Sequence, residues 1–142
     1  MKSQLEKKAT KFCIENKHRL TEPRLLVLKI ISASKRPIKA YEILKELGKK
    51  IKNPKPPTAY RAIEFWCKFN FIHRIESLNA YAACNSEHFH SGYQYMICKG
   101  CGIVIESHFG ELPKVIKNIL KQNTFKLSNW NLEINGVCNK CS

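Results

Sequence analysis

Two Cys-x-x-Cys pairs constrain this chain more than any other feature. Cys98-Lys99-Gly100-Cys101 and Cys138-Asn139-Lys140-Cys141 are separated by 36 residues, 102–137. Each pair can hold two thiolates on a tight knuckle, and two knuckles complete a tetrahedral four-thiolate zinc site with no open position. The spacer is longer than a plain zinc ribbon uses, so a whole subdomain must leave one knuckle and return to the other. Within it, Gly110-Glu111-Leu112-Pro113 opens a helix carrying apolar Val115, Ile119 and Leu120, and Phe125 to Ile134 reads as a strand. A Cys-x-x-Cys pair can also be a redox dithiol. Two paired copies, one at the end of the chain, fit structural zinc better.

The remaining chemistry is divided along the chain. With 142 residues it has room for one average domain or two small ones, and not for large multidomain machinery. Residues 1–79 carry 19 basic and 7 acidic side chains, or +12; residues 80–142 carry 6 and 4, or +2. Every acid is Glu. The cysteines run the other way: only Cys13 and Cys67 precede residue 80, and Cys84, Cys98, Cys101, Cys138 and Cys141 follow it. A positive field of this size suits a polyanion, although a Lys-rich composition can also simply solvate a surface. The N-terminus MKSQLEKKATKFC has no apolar leader core, and the apolar cluster Leu25 to Ile31 is short and broken by Lys29. A cytoplasmic protein without a membrane partner is expected, and in that reducing compartment an odd count of seven cysteines argues for thiolate ligation over disulfides.

The basic part reads as a winged helix-turn-helix. A Lys-rich helix over roughly 3–17 is followed by a helix start at Leu20-Thr21-Glu22-Pro23-Arg24, with Thr21 as N-cap and Pro23 in the first turn. Ser34 to Pro37 breaks that helix. Ala40, Ile43, Leu44 and Leu47 then stand at helical spacing, with Gly48 near the stop. Asn53-Pro54-Lys55-Pro56-Pro57-Thr58 stiffens the approach to a further helix beginning near Pro57, whose Ala59, Ile63, Trp66 and Cys67 share a face. Asn70 suits the left-handed position after it. Phe71 to Ser77 and Asn79 to Ala83 read as a hairpin joined at Leu78-Asn79.

The helix near Pro57 is the recognition-helix candidate. Thr58, Tyr60 and Arg61 in its first turns can enter a major groove, Arg61 reaching a purine edge and Tyr60 packing on a thymine methyl or a phosphate. Arg19, Tyr41, Lys39 and Lys55 would hold the DNA backbone. An amphipathic helix with a solvated outer face is the plainer alternative, and the charge asymmetry favours DNA.

Other possible ligands are spread across the two parts. His73 lies on the first hairpin strand between Phe71 and Ile75, where a satisfied core histidine is its ordinary reading. Cys84, His88 and His90 fall at the junction, and Glu106 follows the first knuckle. A His/Cys/His/Glu set would clamp the two parts with one ion, and one thiolate with two imidazoles favours zinc over iron or manganese. His108 is most simply a strand histidine satisfied by ordinary hydrogen bonds, and Cys13 and Cys67 have packing roles only.

In order, RLTEPRLLVLKIIS, AYEIL, KPPTAYRAIEFW, FIHRIES, YMICKGCGIVIE and GVCNKC resemble the ferric uptake regulator family over nearly the whole chain, and in detail its zinc uptake regulator branch. The resemblance implies a homodimeric, metal-dependent transcriptional repressor of α+β class. It would have a winged-helix DNA-binding domain at 1–83, a hinge at 84–91 and an α/β dimerisation and zinc-binding domain at 92–142. It also implies two zinc ions per chain and binding of zinc-loaded dimers to palindromic, AT-rich operator DNA before zinc-uptake genes, with no catalytic residues and no small-molecule substrate. Carried over, Cys98, Cys101, Cys138 and Cys141 match the structural zinc, and His73, Cys84 and Glu106 match the regulatory zinc. His90 fits the fourth regulatory place with one extra residue before Cys98, and His88 is its alternative. The HHxHxxC cluster of the iron-sensing branch is missing, since Gly92, Tyr93 and Tyr95 stand in its place. Ala59 and Asn70 replace a usual Val and Gly. The rival readings are a sibling sensor of iron, manganese, nickel or peroxide, a thiol-redox protein using a Cys-x-x-Cys pair, and a zinc-stabilised protein-binding adaptor.

Overall fold

The computed structural model describes residues 3–84, 92–107 and 111–142, and the chain divides into two compact units, Met1–Glu87 and His88–Ser142. The expected hinge, beyond Cys84, lies outside the described residues, as do His88, His90 and His108.

In the first unit the first two helices begin where a side chain satisfies one of their open N–H groups. Helix α1 (Gln4–Glu15) starts on a reciprocal cap: Ser3 Oγ accepts the Glu6 N–H at 3.2 Å while the Ser3 N–H donates to Glu6 Oε1 at 3.4 Å. It stops at Lys17, whose φ of 56° turns the chain so that the His18 N–H reaches the Cys13 carbonyl at 2.8 Å. Thr21 Oγ1 accepts the Arg24 N–H at 3.5 Å and opens α2 (Glu22–Ala33). Helices α3 (Ala40–Gly48) and α4 (Pro56–Lys68) follow. Pro56 and Pro57 occupy the first positions of α4, where no N–H is needed. Asn70, at φ 60°, closes it in the left-handed region that tolerates Asn.

These helices meet over one core. Val27, Leu28, Ile31, Ile43, Leu47, Ile63, Trp66 and Ile72 are all essentially buried. Full burial of an aliphatic or aromatic side chain contributes about 1.5–3 kcal/mol, so this cluster is the main source of the unit's stability. Of the expected inner face of α4, Ala59, Ile63 and Trp66 are buried; Cys67 is only half-buried, and Ala62 takes its place inside.

The wing is an antiparallel pair, β1 (Ile72–Ile75) and β2 (Ala80–Ala83), with His73 opposite Ala82. Its turn is wider than the sequence implied: Glu76–Leu78 forms a 3-10 turn before Asn79, at φ 46°. A third strand position was not foreseen. Ile38, just before α3, pairs with Tyr81 through two N–H to carbonyl bonds of 2.9 Å, which fastens the wing to the helix-turn-helix.

The described residues of the second unit form a three-stranded sheet of order β4-β3-β5 with one helix. Strand β3 (Gly92–Cys98) pairs antiparallel with β4 (Val104–Ser107) and parallel with β5 (Trp130–Gly136), and α5 (Lys114–Gln122) lies between β4 and β5 in sequence. The strand expected from Phe125 begins only at Trp130. The reason is local: Thr124 takes φ 47°, and the Phe125 N–H closes the end of α5 on the Leu120 carbonyl at 2.8 Å, so it is not free to enter a ladder. At the other end of β3, Gly92 is obligatory, because a Cβ there would overlap the indole of Trp130.

Candidate metal centres and nucleic-acid interface

The sheet register assembles the four-cysteine site. Because β5 runs parallel to β3 with Gly136 opposite Cys98, both knuckles leave the same end of the sheet. The Lys99 N–H extends that pairing to the Gly136 carbonyl at 2.8 Å. Each knuckle then turns tightly: the Gly102 N–H returns to the Cys98 carbonyl and the Cys141 N–H to the Cys138 carbonyl, both at 2.9 Å. The sulfurs of Cys98, Cys101, Cys138 and Cys141 consequently all lie within 4.8 Å of one another.

The donor set fits zinc. With zinc–sulfur bonds of about 2.3 Å, tetrahedral thiolates lie about 3.8 Å apart. The Cys101 and Cys138 sulfurs are 3.7 Å apart. Backbone donors prepare one thiolate: N–H groups of Cys101 and Cys138, the latter 3.2 Å from Cys98 Sγ, draw the Cys98 thiol down to about 6. Cys141 is driven up to about 12, because the neighbouring Cys138 and Cys101 sulfurs hold its proton. Four sulfurs this close can all ionise only if a cation shares their charge, which is what a structural zinc does. Gly100 is a further part of the site that the sequence reading passed over. A Cβ on it would come within 2.8 Å of Cys141 Cβ and 2.9 Å of its sulfur, so the small residue at the third place of the first knuckle is required. Its position inside Cys-x-Gly-Cys was the available signal.

The wing carries a second donor pair. His73 on β1 is 2% exposed, and the Cys84 N–H, just past β2, donates to the Phe71 carbonyl at 2.9 Å. That bond keeps Cys84 on the hairpin beside β1, and a ring nitrogen of His73 and the Cys84 sulfur lie within 4.8 Å. The core-histidine reading thus describes the burial of His73 and omits its thiol neighbour. In the second unit, Glu106 is half-buried on β4, in register with buried Tyr95 on β3.

The candidate DNA contacts are on the surface of the first unit. Tyr60 and Tyr41 are 49% and 68% exposed, and Arg19, Lys39, Lys55 and Arg61 are exposed. Thr58 is half-buried, with its N–H committed to the Lys55 carbonyl at 2.9 Å. Trp66 and Ile63 anchor the opposite face of α4 in the core, so burial itself turns Tyr60 and Arg61 outward.

Against protein-family models, residues 15–135 match the ferric uptake regulator family. The chain belongs to the ferric uptake regulator family. Among curated members, the zinc uptake regulation protein of Escherichia coli K12 is 33% identical over 135 residues, covering 94% of this chain and 78% of that protein. Among solved members, a zinc uptake regulator complexed with zinc and DNA superposes with a TM-score of 0.88 at 30% identity, covering 98% of this chain and 95% of that one. Holo XcZur follows at a TM-score of 0.83 and 30% identity, covering 95% and 94%. The fold is accordingly that of the family: a winged helix-turn-helix followed by a zinc-knuckled α/β unit. No helix among the described residues is long and apolar enough to cross a membrane.

Proposed function

We propose that this family member is a cytoplasmic, zinc-responsive transcriptional repressor, without catalytic activity, that binds palindromic operator DNA as a zinc-loaded homodimer and controls zinc-uptake genes. The observation that carries the reading is the pairing of His73 with Cys84 on the wing of a DNA-binding unit. A thiol and an imidazole select zinc over the iron and manganese that oxygen-rich sites prefer. The resemblance to zinc uptake regulators supports the same choice.

When bound, zinc supplies a Lewis-acidic centre that draws thiolate, imidazole and carboxylate donors to one point. Cys98, Cys101, Cys138 and Cys141 would hold a structural ion that maintains the second unit. His73, Cys84, His90 and Glu106 would hold the regulatory ion, with His88 as the alternative to His90. Since those residues come from both units, their joint ligation restrains the units relative to each other and favours the form in which the two α4 helices of a dimer lie about 34–36 Å apart, one DNA turn. Shifting a population from mostly open to mostly closed takes about 5.5 kcal/mol of preference for the closed form. Arg61 and Tyr60 then read base edges while Arg19, Lys39, Tyr41 and Lys55 hold phosphates.

The test is a zinc count together with titration of a palindromic, AT-rich duplex taken from upstream of the host's zinc-transport genes. Two ions per chain are expected, one removable by EDTA with loss of duplex binding. Cys84→Ser should abolish the zinc response and leave a folded dimer. An unchanged zinc response in that variant overturns the regulatory assignment.

A further inference from the structure

Arg24 takes no part in the metal or DNA contacts above, yet it joins three segments of the first unit. Its guanidinium lies over the Phe65 ring of α4, 3.7 Å from the centroid. Its Nη1 donates to the Arg19 carbonyl at 2.6 Å. Its own carbonyl accepts the indole N–H of Trp66, also on α4, at 2.7 Å. His18 adds a second fastening on the same helix: its ring sits 4.7 Å from Phe69 and 5.5 Å from Phe65, and stacks at 5.6 Å on Phe12 of α1. Arg19 therefore sits in a short loop held to α4 on both sides, by His18 before it and Arg24 after it.

We infer that Arg24, seconded by His18, is a positioning residue for operator recognition that sets the place of Arg19 relative to the base-reading turn of α4. The inference rests on the DNA-binding reading of α4. Phosphate contacts fix a protein's register on the duplex, and base contacts carry specificity only if that register is right. Arg19 on the loop and Arg61 on α4 must meet the duplex together, and the loop has few other ties: the Lys17 and His18 N–H groups bond back to α1, and Arg24 Nη1 takes the Arg19 carbonyl. Lysine cannot replace this arginine, because one ammonium lacks the planar face that lies on Phe65 and the fork that reaches the Arg19 carbonyl at the same time.

The experiment compares the zinc-loaded wild-type dimer with Arg24→Lys and Phe65→Leu on the operator duplex and on a random-sequence duplex of equal length, across salt concentrations. Both variants should lose operator affinity on the order of tenfold, as for one misplaced base contact, while random-duplex affinity, salt slope and zinc content stay unchanged. Wild-type operator affinity in Arg24→Lys overturns the inference. So does an equal loss on both duplexes in Phe65→Leu, which means α4 is damaged as a whole. A salt slope lowered by about one in Arg24→Met also overturns it, because a phosphate contact, of Arg24 or of Arg19, is then lost rather than shifted in register. If the wild-type protein shows no zinc-dependent operator binding, the underlying DNA reading fails first.

Discussion

The two units solve the problem of stability in different ways. The first encloses a continuous apolar cluster around Trp66, with Leu28, Ile43, Leu47 and Ile63 sealed from water. Among the described side chains, the second buries Tyr95, Ile97, Cys98 and Gln94 to a comparable degree and leaves Met96, Ile105, Ile134, Val115 and Ile119 at 40% exposure or more. On the sheet, Met96, Ile105 and Ile134 stand in one cross-strand row. An apolar row left open to water is what an obligate subunit interface presents before assembly, consistent with the family's dimers. The contrast teaches that burial is the first unit's main support, whereas the second has a smaller buried core and is expected to need ligation and association.

The sharpest way to break this contrast is Cys98→Ser. Binding free energy of a structural zinc, about 10–16 kcal/mol in small zinc domains, is also folding free energy. Cys98→Ser should therefore abolish structural-zinc retention and dimerisation, followed by metal analysis and sedimentation, while the far-UV helix signal of α1 to α4 persists. A zinc-free variant that remains a stable dimer would show that the second unit does not need its knuckles. The reverse substitution is Trp66→Ala, which should cost the first unit about 3–5 kcal/mol, read by denaturant unfolding, without displacing the four-cysteine zinc. Loss of that zinc in Trp66→Ala would mean that the units are not separable in stability.

The smallest effect concerns the thiols. Burial pushes the Cys67 thiol up to about 11 and raises Cys13 as well. The folded state thus keeps the Cys67 proton longer than the unfolded chain does. Its contribution to stability is full below the ordinary thiol value near 9 and is lost as pH rises through about 11. At pH 8 the native, zinc-loaded protein should alkylate at Cys67 more slowly than a free thiol, with the rate rising only in strong alkali. Rapid labelling at pH 8, located by mass spectrometry, would show that this part of the first unit opens more readily than its packing implies.

Much of this was legible in the chain. Thr21 and Pro23 mark the start of α2, Asn70 marks the end of α4, and the two Cys-x-x-Cys pairs imply convergence of strand ends 36 residues apart. Each is a local signal, readable from one residue's hydrogen bonding or φ preference. What escaped depends on distant partners. Nothing in Ile38 indicates that it will pair with Tyr81. The delayed start of β5 follows from how α5 ends at Thr124, and a run of apolar residues from Phe125 conceals that. Arg24 acquires its partners only when α2 crosses α4.

The short pairing of Ile38 with Tyr81 has a mechanical consequence. Strand β2 is tied to β1, which bears His73, and through Ile38 to the residue that precedes α3. The proposed sensing pair, His73 and Cys84, thus stands on a wing fastened along two edges rather than hung from one soft spring. In the proposed mechanism, a pull at His73 or Cys84 is therefore passed to the helix-turn-helix instead of being absorbed as bending of the wing.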